Sequence, residues 1–374
     1  MRKILILLFI SLFISCQTIE NKNENPNIVL IVADDLGWTD VSYMGSKYYE
    51  TPNIDKLSRS GMTFYNGYAS AANCAPSRAT MLSGRYNNHH GIYTVGASER
   101  GSEKTRKIIP IKNETILDLR YFLIPEMLKN EGYVTGHFGK WHLNGLRGPG
   151  VPIFKDDRYS PGVFGFDRWL SVTNFFDIDP VMSYNGEFIE FEGSSSEIIV
   201  GEALKFIKEK KAMNLPFFTV IWDGSPHTPM LASEEDRSEF KDLDERSQNH
   251  YGELVAFDRS LGVLRKELKE LGISDNTILW FCSDNGGLNG ILPSTVGGLK
   301  GFKNTMWEGG LRVPAIIEWP AVIKSSVSNF PPEIETFLTQ IGMPINKISI
   351  TRANINTSYN NRNLFKFDLD GITS

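Results

Sequence analysis

Pro26-Asn27-Ile28-Val29-Leu30-Ile31-Val32-Ala33-Asp34-Asp35 is a run of branched apolar residues closed by two carboxylates. An unbroken apolar run bounded in this way fits a strand buried on both faces, as strands of a parallel sheet are. Tyr133 to Phe138, Pro216 to Trp222, Thr277 to Ser283 and Arg312 to Glu318 are further candidates of the same kind. Helical patterns lie between them. Ser194-Ser195-Ser196-Glu197 carries a capping signal ahead of Ile198 to Lys211. A second helix is predicted over about Glu245 to Leu271, with Tyr251, Leu254, Val255, Leu261, Leu264, Leu268 and Leu271 on one stripe and Gly272 as its stop. The alternation predicts an α/β fold, a mostly parallel central sheet flanked by helices. In such sheets ligands bind beyond the carboxyl ends of the strands. Asp34-Asp35, His227 and Asp284-Asn285 all fall at such ends.

The chain has 374 residues, 41% of them hydrophobic and 22% charged, which is globular material for a large domain plus a smaller appendage. A net charge of -5 gives no basic face for nucleic acid. Arg2 and Lys3 precede the apolar run Ile4 to Ile14, too short to span a bilayer and suited to a secretory signal. It ends at Ser15-Cys16, so residues 1–16 read as a bacterial lipoprotein signal with Cys16 as the lipidated residue, although Phe13 departs from the usual leucine. An ordinary cleaved signal is the alternative. Both imply export to the cell envelope, with the membrane touched only through a lipid anchor. Residues 17–26 form a polar linker. Cys74 and Cys282 then remain, too few for a disulfide framework. Cys282 reads as a small buried hydrophobe in a strand, and a single Cys74–Cys282 bridge is the competing reading.

Asn73-Cys74-Ala75-Pro76-Ser77-Arg78-Ala79-Thr80 presents an exposed thiol, a helix-starting proline and an arginine, an arrangement that packing alone does not call for. Asp34, Asp35, Asp284 and Asn285 offer hard oxygen ligands from two strand ends, a set suited to Ca²⁺ or Mg²⁺. Each pair taken singly also fits a helix cap or a turn. Lys140 and His142 follow the Tyr133 strand in Gly139-Lys140-Trp141-His142, Lys303 lies in a glycine-rich loop, and His227 sits between Pro226 and Pro229. Cations aimed at the oxygens of an anionic ester stabilise charge on a leaving oxygen, and a histidine can donate or accept the proton. A loop or core histidine is the plain alternative for His142 or His227 alone. His89-His90 reads as a pocket rim or solvated loop, since adjacent residues do not converge on one ion. His137 and His250 receive no role. Trp169, Phe175, Phe176 and Trp222 read as core aromatics, with sugar stacking as the alternative.

From about Asn27 to Pro320 the chain resembles the formylglycine-dependent sulfatases of the alkaline-phosphatase superfamily. The resemblance rests on Pro26 to Asp35, Cys74 to Arg85, Gly136 to His142, Ser225 to Pro229, Ser283 to Gly287 and Lys303 to Pro314, in that order. It implies an alkaline-phosphatase-like sheet with helices on both faces. It further implies that a maturing enzyme oxidises Cys74 to formylglycine, and that Asp34, Asp35, Asp284, Asn285 and the modified Cys74 hold calcium. The aldehyde hydrates to a gem-diol. One hydroxyl, deprotonated with help from Asp284, attacks sulfur; His227 and Lys303 serve the leaving oxygen. The second hydroxyl gives its proton to His142 and expels sulfate, while Arg78 and Lys140 hold the formylglycine and the sulfate oxygens. A sulfated glycan is the substrate class implied.

After Trp319-Pro320 the family pattern fades, so 321–374 reads as a truncated or atypical segment with one amphipathic candidate, Pro332 to Gly342. Two rival readings stand beside the sulfatase: a phosphodiesterase or phosphonate-ester hydrolase of the same superfamily, and an inactive binding protein.

Overall fold

A computed structural model describes residues 25–328 apart from positions 47, 49, 100, 101, 146, 147, 149, 175 and 177, together with 349–351 and 366–368. The signal-like run, Cys16, Phe175 and the helix candidate Pro332 to Gly342 lie outside the described residues. In chain order the main elements are β1 (Asn27–Ala33), α1 (Pro52–Ser60), β2 (Met62–Phe64), α2 (Cys74–Ser83), α3 (Asn87–His90), α4 (Ile124–Asn130), β3 (Val134–Lys140), β4 (Arg168–Val172), β5 (Val181–Tyr184), β6 (Glu187–Glu190), α5 (Ser195–Ala212), β7 (Phe217–Trp222), α6 (Glu245–Glu270), β8 (Thr277–Ser283), α7 (Glu308–Leu311), β9 (Ala315–Glu318) and β10 (Ser326–Ser328).

Ten strands form one sheet in the order β10-β2-β9-β8-β1-β7-β3-β4-β5-β6. Its centre is parallel: β1 pairs with β7 and β8, and β3 with β7 and β4. The flanks turn antiparallel at β8–β9, β2–β9, β4–β5 and β5–β6. Alternation along the central strands divides the core in two. Val29 and Ile31 of β1 and Phe217 and Ile221 of β7 join the cluster under α1, α5 and α6. Val32, Val220 and Trp222 join the opposite cluster with Ala75, Ala79 and Leu82 of α2. Both faces are therefore covered, as the sequence reading requires.

The structure corrects several details. β3 extends two residues past Phe138, so Lys140 ends the strand and does not follow it. The run Arg312 to Glu318 becomes a strand only at Ala315, and it runs antiparallel to β8. Arg312 instead donates its N–H to Glu308, Val313 donates to Gly67, and Pro314 has no N–H for a ladder. Ser194 occupies the N-cap position of α5 but makes no side-chain cap bond. The α6 expectation holds, with Tyr251, Leu254, Leu261, Leu264 and Leu268 buried and Gly272 in the left-handed region at φ 70°. Cys74 and Cys282 are free thiols, so no bridge joins them. Cys282 is half-buried against two apolar clusters. In the tail, Ser349–Thr351 pairs antiparallel with Lys366–Asp368.

Candidate active site

The carboxyl ends of β1, β7, β8 and β3 lie side by side, and the first residues beyond them point polar groups at one another. Asp34 donates its N–H to the Ser225 carbonyl and Asp284 donates its N–H to the Ala33 carbonyl, so three strand exits are stitched together by backbone bonds. Asp35 leaves β1 at φ 67° and His142 leaves β3 at φ 60°. Left-handed backbone at non-glycine residues costs about 1–3 kcal/mol each and concentrates at functional sites. Gly139 has no such alternative: at φ 111°, a Cβ would stand 2.0 Å from the Trp222 carbonyl oxygen. The close β3–β7 approach that sets Lys140 therefore needs glycine.

Cys74 opens α2 and is 1% exposed, which overturns its reading as an exposed thiol. The helix starts directly over the β1 exit, and the thiol reaches Asp35 Oδ1 at 4.0 Å. Burial, with Asp34 beside it, pushes the thiol above its usual range, so the unmodified side chain is a poor nucleophile at neutral pH.

Two layers of charge surround it. Arg78 donates from Nε to Asp284 Oδ2 at 2.9 Å and from Nη1 to the Lys140 carbonyl at 3.2 Å, and its Nη2 forms an ion pair with the same Asp284 oxygen at 2.8 Å. Its guanidinium lies 4.9 Å from the Trp222 ring centroid. Lys140 donates to Asp34 Oδ2. Lys303 donates to Asp35 Oδ2 at 2.6 Å, Asn285 Nδ2 to Asp35 Oδ1 at 2.7 Å, and His227 Nε2 stands 3.5 Å from the same Asp35 Oδ2. The Arg78, Lys140, Asp34 and Asp284 side chains are wholly buried.

Burial opposes the charge on Asp34, yet Lys140, His227, Arg78 and Lys303 together hold it well below the usual carboxylate range. Burial and Asp34 push Asp284 the other way, up to about 7. Lys303 resists its own burial because Asp35 faces it, and it is held above the usual lysine range. Burial lowers His227 to about 4, and burial with Lys140 lowers His142 well below its ordinary value, so both rings are neutral near pH 7. His227 Nδ1 lies 2.5 Å from the Thr228 carbonyl, which only a protonated Nδ1 can satisfy. Its Nε2 faces Asp35 in the site.

Ligand atoms of Asp34, Asp35, Cys74 and His227 all lie within 4.8 Å of one another. Asp34 Oδ1 and Asn285 Oδ1 are buried and lack any hydrogen-bond partner. Two such oxygens in a cluster of carboxylates fit a hard divalent cation, which would accept the lone pairs that no hydrogen-bond donor engages. Of the sequence-derived ligand set, Asp34, Asp35 and Cys74 come together with His227, and Asn285 reaches the group through its bond to Asp35. Asp284 stands alongside, its Oδ1 accepting the Asp35 N–H at 3.2 Å.

The remaining histidines separate cleanly. His90 is buried, not on a rim: its Nδ1 accepts the Ile92 N–H at 3.1 Å and its Nε2 meets Thr80 Oγ1 at 3.2 Å. His137 is packed edge-on against Trp141, Phe166 and Trp222 and bonded to Ser171 Oγ at 2.7 Å. His250 faces Asp40 at 3.5 Å. Trp169, Phe176 and Trp222 are core residues.

One residue escaped the sequence reading. Asp223, at the end of β7, accepts the Ser225 N–H at 2.8 Å and the Ser196 hydroxyl at 3.0 Å. It ties the turn carrying His227 to the first turn of α5, and burial pushes it up to about 6. Its place one residue past an apolar strand, like that of Asp34, was the available signal.

Residues 26–343 match the family model described as Sulfatase. The chain belongs to the sulfatase family. It is 33% identical over 321 residues to the N-acetylgalactosamine-6-sulfatase of Rattus norvegicus, covering 80% of this chain and 58% of that protein. A Sulfatase of Formosa agariphila is 32% identical over 389 residues, covering 88% of this chain and 70% of the relative. Among solved structures, Ps i-CgsB in complex with k-i-k-neocarrahexaose superposes with a TM-score of 0.71 at 29% identity, over 86% of this chain and 72% of that one. This sulfatase-family chain thus spans somewhat over half the length of the N-acetylgalactosamine-6-sulfatases it matches.

Proposed function

We propose that the protein hydrolyses sulfate esters, with sulfated glycans as the substrate class, outside the cytoplasm. The observation that carries the reading is the convergence of the Cys74 thiol with Asp34, Asp35 and His227 under Arg78, Lys140 and Lys303, in a chain of the sulfatase family. Support for the substrate class comes from relatives named for sulfated sugars.

Cys74 oxidised to formylglycine supplies a hydrated aldehyde, with one hydroxyl to attack sulfur and one to release it. Asp34, Asp35, Asp284 and Asn285 would hold a calcium ion, which would supply positive charge to stabilise the reacting sulfate. The chain's own groups do the rest. Arg78, locked to Asp284 and the Lys140 carbonyl, fixes the floor of the site. Lys140 and Lys303 each hold a carboxylate and present positive charge toward an entering anion, where it stabilises charge on the equatorial oxygens. Asp284 takes the proton of the attacking hydroxyl. Lys303 Nζ and His227 Nε2 face one carboxylate oxygen; Lys303 carries the proton that the leaving oxygen needs, and the unprotonated His227 Nε2 stands beside it as the acceptor through which that proton is restored. His142, neutral and with its Nδ1 unbonded, receives the proton of the second hydroxyl.

The test compares an aryl sulfate with an aryl phosphodiester, using protein purified from its native host. A kcat/KM at least about 100-fold higher on the sulfate is expected. The reverse ranking establishes the phosphodiesterase reading, and no turnover of either establishes the binding-protein reading.

A further inference from the structure

The loop that carries Lys303 continues into a rim of exposed aromatic and cationic side chains that the chemistry above does not use. Lys303 donates its N–H to the Gly287 carbonyl and Asn304 donates to Ala72, so the loop is pinned to the β8 exit on one side and to the approach to Cys74 on the other. The Asn73 side chain bonds Asn304 Oδ1 at 2.7 Å. Thr305 Oγ1 accepts the Phe302 N–H at 2.9 Å, and Gly309 and Gly310 return N–H bonds to Lys300 and Trp307. Gly301 sits at φ 81°, where a Cβ would come within 2.7 Å of Trp307 Cβ. The backbone is rigid, and what it displays is consequently held in place.

It displays Trp307, 53% exposed, and Met306, 73% exposed. The Lys300 ammonium stands 3.6 Å from the Trp307 ring centroid, itself on the surface. Tyr68, 49% exposed, is fastened alongside by a 2.8 Å bond from its hydroxyl to Glu308 Oε2. An indole of this size left half in water keeps apolar area that burial against a partner would stabilise. An indole with a cation held over its face matches one chemistry well: an anionic pyranose whose sulfate or carboxylate meets the ammonium and whose C–H face lies on the exposed remainder of the ring. A small ester, ending at the reacting sulfate, has nothing to place there.

We infer that Trp307 and Lys300, with Tyr68 beside them, form a second subsite for an anionic sugar ring neighbouring the one whose ester is cleaved. The inference rests on the sulfate-ester reading and adds to it that the substrate is an oligomer, gripped beyond the reacting residue. Stacking of a ring on an aromatic side chain and a charge-assisted contact each contribute about 1–2 kcal/mol, so losing either lowers affinity for an oligomer roughly 5- to 30-fold.

The experiment measures binding and turnover separately. Calorimetry with the Cys74→Ala protein, alone and combined with Trp307→Ala or Lys300→Gln, uses N-acetylgalactosamine 6-sulfate against a chondroitin 6-sulfate tetrasaccharide, and an ι-carrageenan disaccharide against its tetrasaccharide. Melting curves confirm that each variant folds, and the exposed Lys300→Gln change keeps the test open should Trp307→Ala not fold. The expected result is tighter binding of a tetrasaccharide than of its shorter partner, with that ratio reduced at least 5-fold in both variants. No length dependence in either series, or the same dependence in parent and variants, overturns the subsite. Aryl sulfate turnover by the native protein is read in parallel: its absence removes the sulfatase reading, whereas its presence with no length effect removes the subsite alone.

Discussion

The parallel centre of the sheet and its antiparallel flank solve opposite problems. At β7–β1–β8 each strand is paired on both sides, and the ionisable side chains of Asp34, Asp35, Asp284, Arg78 and Lys140 have almost no exposure. At β4–β5–β6, the last strand is exposed at every residue, and Phe154 and Phe188 touch in water with ring centroids 5.5 Å apart. Charge is buried where strand exits converge and over-determine each side chain, and apolar area is exposed where nothing converges. The cost of burying ions is large unless each is paired, so the centre tolerates little change while the flank tolerates much.

The largest effect should come from the residue with no substitute. Cys74→Ala is expected to lower sulfate release from an aryl ester by about 10⁴-fold or more, since it removes the attacking group altogether. Residual turnover within 100-fold of the parent would mean another nucleophile. Next, Lys140→Met leaves Asp34 buried without its nearest cation. Loss of one partner from a buried pair costs about 3–5 kcal/mol, to be read by denaturant unfolding. An unchanged midpoint would show that the centre is not held by pairing.

His90 separates pairing from packing by pH. Its Nδ1 accepts a backbone N–H and burial lowers it to about 4, so the folded protein binds its proton more weakly than the unfolded chain does. Stability from this residue is present above about pH 6.5 and lost as pH falls toward 4, a slope worth about 1–2 kcal/mol that His90→Gln should remove. Melting temperatures of the two proteins across pH 4–7 check it; parallel curves would refute it. The smallest effect belongs to the flank. Phe188→Ser should change unfolding free energy by no more than about 0.5 kcal/mol, and a larger loss would make β6 part of the cooperative core.

The same contrast explains what could be read without coordinates. β1 and β8 begin and end where their apolar runs do, because a strand covered on both faces leaves no room for polar residues until it exits. The polar residues at those exits were legible for the same reason, and Asp34, Asp35 and His227 meet there with Cys74. β2, β5 and β6 carried no such signature: Met62–Phe64 is too short for a pattern, and Glu187–Glu190 has no face in the core. The burial of Cys74 and of His90 was illegible too, since Cys74 is covered by strand exits far away in sequence and His90 by the fold of α3 back onto α2. Asp223 stood one residue past an apolar run, but its bond to Ser196 on α5 depends on how that helix packs.

The most direct test of the account is the mass of the tryptic peptide containing Cys74, taken from protein made in its native host. The account predicts an aldehyde, or its hydrate, in place of the thiol, reactive toward a hydrazide and absent from Cys74→Ala. An unmodified cysteine at full occupancy in protein that still releases sulfate would contradict it.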